Sequence, residues 1–102
     1  MTMRKKKFLA NVAALARLQG WLIFHPHDSR GSSPGFPDLC MVRERVVFAK
    51  LKVGQSQPTA NQLIWITSLQ AAGTEAYVWR PHDWPAIESI LVRLHQDMES
   101  HP

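Results

Sequence analysis

The sequence predicts an α/β domain, a mixed sheet flanked by helices, with elements in the order α, β, β, β, α, β, α. Three observations predict it. Apolar residues recur at three- and four-residue spacing in three segments and run in short β-type stretches in four others. The second and third strand-like runs are separated only by a turn, which makes them an antiparallel pair. The third and fourth are separated by a helix, which makes them a parallel pair with a right-handed crossover. With 102 residues and 45% hydrophobic content, the chain supplies one modest core, so residues 1–102 read as a single domain.

The first helix runs from about Arg4 to Gln19: Phe8, Val12, Leu15 and Leu9, Ala13, Ala16 form its apolar stripe, and Gly20 stops it. Trp21 to His25 is a short apolar strand. Pro26 to Pro37, with its prolines, glycines and serines, is a loop of the kind that carries contacts. Asp38 to Val42 and Arg45 to Val53 are the hairpin strands, with Arg43 and Glu44 as the turn. Leu63, Ile66 and Leu69 mark the buried face of a helix from about Thr59 to Ala72, closed by Gly73. Glu75 to Trp79 is the fourth strand. Asp83 then caps a last helix whose stripe is Trp84, Ile87, Leu91, Leu94 and Met98, with Pro85 in its first turn.

Composition excludes several classes. No stretch approaches the roughly 18 uninterrupted apolar residues of a membrane span, and Met1 to Lys7 is charged without a following apolar signal core. A soluble, cytoplasmic protein is expected. The single cysteine, Cys40, makes neither an internal disulfide nor a zinc-ligand pair, and it reads as a buried, inert thiol. The net charge of +4 comes from Arg4, Lys5, Lys6 and Lys7, because the remainder of the chain balances at 8 against 8. This basic start is either a DNA-binding arm or a flexible, solubilising segment. Seven positives against four negatives between Arg17 and Arg80 point to a polyanion partner, with nucleic acid first.

The segment richest in chemistry is Gly35-Phe-Pro-Asp38, followed after a short interval by Val47-Phe-Ala-Lys50-Leu-Lys52. Strand alternation places Lys50 and Lys52 on one side and Ala49, Leu51 and Val53 on the other. A hairpin neighbour brings Asp38 alongside the lysines. One carboxylate and two ammonium groups then converge beside the Pro26 to Pro37 loop, a cluster that attracts phosphate.

These residues resemble the core of the PD-(D/E)xK nucleases, and in particular the virus-type replication-repair nuclease (VRR-NUC) family. The resemblance spans nearly the whole chain. It rests on Gly20-Trp21, the Ser29-Arg30 loop, Gly35-Phe-Pro-Asp38, the Lys52 strand, Gln62, and Ala72-Gly73 followed by Tyr77-Val-Trp-Arg-Pro81. It implies a restriction-endonuclease-like αβββαβ core with an extra C-terminal helix, and Mg²⁺- or Mn²⁺-dependent hydrolysis of DNA phosphodiesters in branched or flap structures, in a bacterial or phage-infected cell. Asp38 matches the metal-binding aspartate and Lys52 the lysine that orients water. Gln62 matches the glutamine of the following helix, and the Leu51 carbonyl a further metal ligand.

The chain departs from the pattern where the family's motif glutamate falls, because position 50 is a lysine. An ammonium ~5 Å from Mg²⁺ at an effective dielectric of ~20 is repelled by roughly 7 kcal/mol. Relatives also carry a glutamate near the start of the first helix, where this chain reads Arg4-Lys-Lys-Lys7. Three readings stay open: a DNA-binding protein whose cleavage is weak or lost, with no metal bound; an active endonuclease with a reduced metal site; and a silent adaptor or inhibitor that binds another protein. Glu44, as a migrated acid, lies on the turn at the far end of the hairpin.

Other residues carry weaker signals. His25, His27 and Asp28 have ligand spacing but no further partner in sequence. His27, Ser29, Arg30, Ser32 and Ser33 suit a phosphate backbone. Trp79 and Trp84 read as core. Trp65 reads as exposed, and with Ile64 and Thr67 it offers a surface for a homodimer, as in the stand-alone members of the family.

Overall fold

The computed structural model describes residues 3–26 and 33–92. Helix α1 spans Lys5–Leu18, strand β1 Leu22–Phe24, β2 Leu39–Val42, β3 Val46–Leu51, helix α2 Ala60–Ala71, β4 Glu75–Trp79 and helix α3 Trp84–Val92. The order is the expected one. The four strands form one sheet in the order β1-β2-β3-β4, antiparallel at the first two pairings and parallel at the third. No helix among the described residues is long and apolar enough to cross a membrane.

The core lies on one face of the sheet. Leu39 and Met41 of β2 alternate with half-buried or exposed neighbours, and Val47, Ala49 and Leu51 of β3 join them in full burial. Phe8, Val12 and Ala16 of α1 and Ile87 and Leu91 of α3 cover this face. Each fully buried Leu or Ile contributes about 1.5–3 kcal/mol. Trp21, buried at the end of α1, donates its indole N–H to the Leu91 carbonyl at 2.8 Å. The guanidiniums of Arg43 and Arg45 lie 4.7 and 5.1 Å from its ring centre.

Helix α2 packs on β4 and β3. It begins with a capping box: Thr59 Oγ1 accepts the Gln62 N–H at 3.2 Å, and Gln62 Oε1 accepts the Thr59 N–H at 2.9 Å. Because α2 leaves the β1 and β2 side bare, Leu22, Val42 and Val46, paired in register, remain exposed together with Phe24.

Several local expectations are corrected. The hairpin turn has three residues, Arg43 to Arg45, because Val42 pairs with Val46 and the Arg43 N–H bonds the Arg45 carbonyl. Asp83 does not cap α3. Its carboxylate accepts the Arg80 N–H at 2.8 Å and closes a 3₁₀ turn, Pro81–Asp83, ahead of the helix. In α2, Ile66 is buried but Leu63 is exposed, since the helix covers only part of the sheet. Trp79 belongs to the core cluster, and Trp84, half-buried, packs against that cluster. Cys40 is half-buried, facing the partly covered side. Leu94 and Met98 lie outside the described residues.

Candidate functional site

The site forms where β2 begins and β3 ends. The register pairs Leu39 with Ala49, which brings Asp38 beside Lys50 and Leu51. Asp38 Oδ2 accepts the Leu51 N–H at 2.7 Å, while Oδ1 lies 3.5 Å from Lys50 Nζ and 3.0 Å from Lys5 Nζ. One carboxylate therefore carries two ammoniums and a backbone amide. Lys50 also donates to the Phe36 carbonyl at 3.4 Å. His25, which the sequence placed in a candidate ligand trio, has its Nδ1 at 2.8 Å from the Asp38 carbonyl and so holds the backbone of that residue.

Gly35 seats this segment. Its φ is +85°, and a Cβ placed there would stand 2.5 Å from the Asn61 backbone carbon and 2.6 Å from the Gln62 nitrogen. Only glycine fits both the left-handed backbone and the close approach to α2. Phe36 then meets Phe48 and Trp65 edge-on, at ring separations of 6.2 and 5.0 Å. Trp65 is half-buried, and its indole N–H donates to the Pro34 carbonyl at 3.1 Å. Its place is against this loop, not on a bare surface.

Beside the Asp38–Lys50 pair lies a cavity of about 390 Å³, lined among others by Pro34, Phe36, Asp38, Lys50, Asn61 and Gln62. Gln62 borders it while its side-chain oxygen caps α2. Ser33 also lines it, whereas His27, Ser29, Arg30 and Ser32 lie outside the described residues, as does Asp28.

Burial pushes the Lys50 ammonium below its ordinary range; Asp38 opposes this and Lys5 adds to it. Lys52 is shifted the same way, first by burial and then by Lys5 and Lys50, against Asp38, with Arg80 contributing further. Lys52 is only 9% exposed along its length, while its ammonium, without a hydrogen-bond or ion-pair partner among the described residues, keeps contact with solvent. Arg80 bonds the carbonyls of Gly54 and Ser56, fixing the turn after β3.

Not foreseen from sequence is the place of Lys5. Arg4 precedes α1, and Lys5, Lys6 and Lys7 form its first turn, so the run is helical where a loose arm was one expectation. Lys5 lies three and seven positions before Phe8 and Val12, on the stripe that faces the sheet. That spacing was the available signal.

The described residues do not fit a divalent cation. Among the described residues no group of three His, Cys, Asp or Glu side chains comes together. Among the described residues Asp38 is the sole carboxylate of the cluster, and each of its oxygens already accepts from a neighbour. A cation there would meet two ammoniums, each repelling by several kcal/mol, with the Lys5 share weakened by solvent. Glu44, the migrated-acid candidate, is paired with Arg43 and Arg45 at the hairpin turn.

No protein-family model matches the chain, and no curated protein matches its sequence. A solved structure described as a VRR_NUC domain protein is similar to it, with a TM-score of 0.70 at 21% sequence identity, covering 88% of this chain and 86% of that one. At that identity the likeness is one of architecture: the chain has a VRR-NUC-like α/β nuclease fold.

Proposed function

We propose that this protein is a DNA-binding member of the nuclease-like folds, with a lysine-filled site that grips the phosphate backbone and has lost metal-dependent cleavage. The observation that carries this reading is the double salt bridge at Asp38. In the related enzymes, by resemblance, carboxylates and a divalent cation occupy this end of the sheet. Here Lys5 and Lys50 supply fixed positive charge instead. A phosphate is then held by ammonium groups directly, in a partly desolvated site where charge-assisted hydrogen bonds are strong. No water is activated, so the bound diester stays intact.

Gel retardation and nicking assays on supercoiled plasmid and branched or flap DNA, with Mg²⁺ and Mn²⁺, test the reading. Retention of DNA without strand breaks is expected. Replacing Lys5, Lys50 or Lys52 by Gln should each lower the slope of log affinity against log salt by roughly 0.9 for every phosphate that is no longer neutralised. Nicking that disappears in Asp38→Ala would overturn the reading in favour of an endonuclease with a reduced metal site.

A second reading has its own support. The exposed row Leu22, Val42, Val46 and the adjacent Phe24 form an apolar patch on the uncovered part of the sheet. Such a patch suits a protein partner, a second copy of the chain included. Sedimentation of the free protein, and of a Leu22→Ser, Phe24→Ser variant, tests for self-association.

A further inference from the structure

The cluster has more positive charge than an internal DNA phosphate needs. Lys5, Lys50 and Lys52 against Asp38 leave three charges less one, a net of +2, with Arg80 close enough to act on Lys52. An internal phosphodiester carries a single negative charge. A terminal phosphomonoester carries about −1.5 to −2 at neutral pH and presents three acceptor oxygens.

Lys52 sharpens the mismatch. Its stem is nine-tenths buried, and its ammonium, which no described residue accepts from, reaches solvent and is open to a ligand. Lys50 is also buried, shares Asp38 with Lys5, and lines the cavity. Three ammoniums gathered about one carboxylate repel one another, and a bound anion relieves that repulsion. The cavity of about 390 Å³ beside Lys50 falls at the small end of ligand pockets, which span about 300–1,000 Å³. Phe36 and Pro34 give it apolar walls, and Asn61 and Gln62 bring amide side chains to its rim. That combination suits one nucleobase and its sugar.

Building on the DNA-binding reading, we propose that the site takes a terminal nucleotide: its phosphomonoester on Lys5, Lys50 and Lys52, its base in the cavity lined by Phe36 and Asn61. The ligand chemistry is a nucleoside monophosphate, at the end of a strand or free in solution.

Fluorescence anisotropy on otherwise identical oligonucleotides ending in 5′-phosphate, 3′-phosphate or hydroxyl tests this, with deoxynucleoside monophosphates and inorganic phosphate as competitors. A phosphate at one end should tighten binding by about tenfold or more, the scale of one or two charged hydrogen bonds. The gain should vanish in Lys52→Gln and persist in Lys52→Arg. Because a Lys52 variant can lose its fold, the Leu51 amide resonance of the unaltered protein provides a second readout; it should shift on titration with a monophosphate. Displacement by the free monophosphate without any end preference supports the site and assigns it to a free nucleotide. Equal affinity for phosphate and hydroxyl ends, with no displacement and no Leu51 shift, overturns this inference while leaving DNA binding intact. Absence of DNA binding to every oligonucleotide overturns the broader reading instead.

Discussion

Lys5 Nζ stands 3.0 Å from Asp38 Oδ1, joining the first turn of α1 to the start of β2. This contact changes what one charge substitution can achieve. Lys50→Glu alone introduces a second carboxylate but leaves an ammonium on Asp38. Mn²⁺ binding, followed by titration calorimetry, is therefore expected in Lys5→Glu combined with Lys50→Glu and to be much weaker in Lys50→Glu. Equal Mn²⁺ affinity in the two variants would show that Lys5 is no obstacle.

Asp38 also holds buried charge in balance. Asp38→Asn keeps an acceptor for the Leu51 N–H but leaves Lys50 without its counter-ion. A loss of about 2 kcal/mol is expected, less than for a fully buried pair because Lys5 is half exposed. Adding Lys50→Met should recover most of the loss in urea unfolding. If the double variant is no more stable than Asp38→Asn, the cost lies elsewhere.

Stability should depend on alkaline pH in a defined direction. Lys50 and Lys52 are held below their ordinary 10.5, so the unfolded chain keeps protons that the folded protein has released. The cost of their burial is fully present below the lowered folded values and is relieved as pH rises toward 10.5, so stability rises in that window. Cys40, raised above 9.0 by burial, acts oppositely, since the unfolded thiol ionises first. Comparing the native chain with Lys50→Met, Lys52→Met cancels the cysteine. The variant's urea midpoint should lack the lysine-driven rise, and parallel pH profiles would contradict it.

Gly35 and Gly73 form a matched pair. Both have positive φ, +85° and +87°, but a Cβ at Gly35 strikes the α2 backbone while one at Gly73 meets nothing within 4 Å. Gly73→Ala should cost about 1–2 kcal/mol from backbone strain alone. Gly35→Ala adds overpacking of roughly 1–3 kcal/mol, to be read by thermal or urea unfolding. Similar losses at the two positions would mean that α2 yields easily.

Much of the fold was legible because its signals are local. The strand Glu75–Trp79 falls where its apolar run predicts, and Gly20 and Gly73 end their helices. Capping and turn geometry were less readable. Asp83 had the composition of a helix cap, yet its carboxylate turns back to Arg80, and the hairpin register claims Arg45 for the turn. Leu63 kept the helical spacing of a core residue but faces solvent, because the reach of α2 across the sheet is set by packing rather than by its own sequence.

The order of amino acids puts lysines at positions 5, 50 and 52, and strand alternation gives Lys50 the same side as Asp38. Packing between distant segments added the rest: Lys5 closes on that carboxylate, His25 holds its backbone and Gly35 presses against α2. Alternation is a property of each strand and its turn, readable residue by residue. The approach of α1 depends on Phe8, Val12 and Ala16 finding Leu39, Met41 and Leu51 across the core, a contact between segments far apart in the chain that no local pattern encodes.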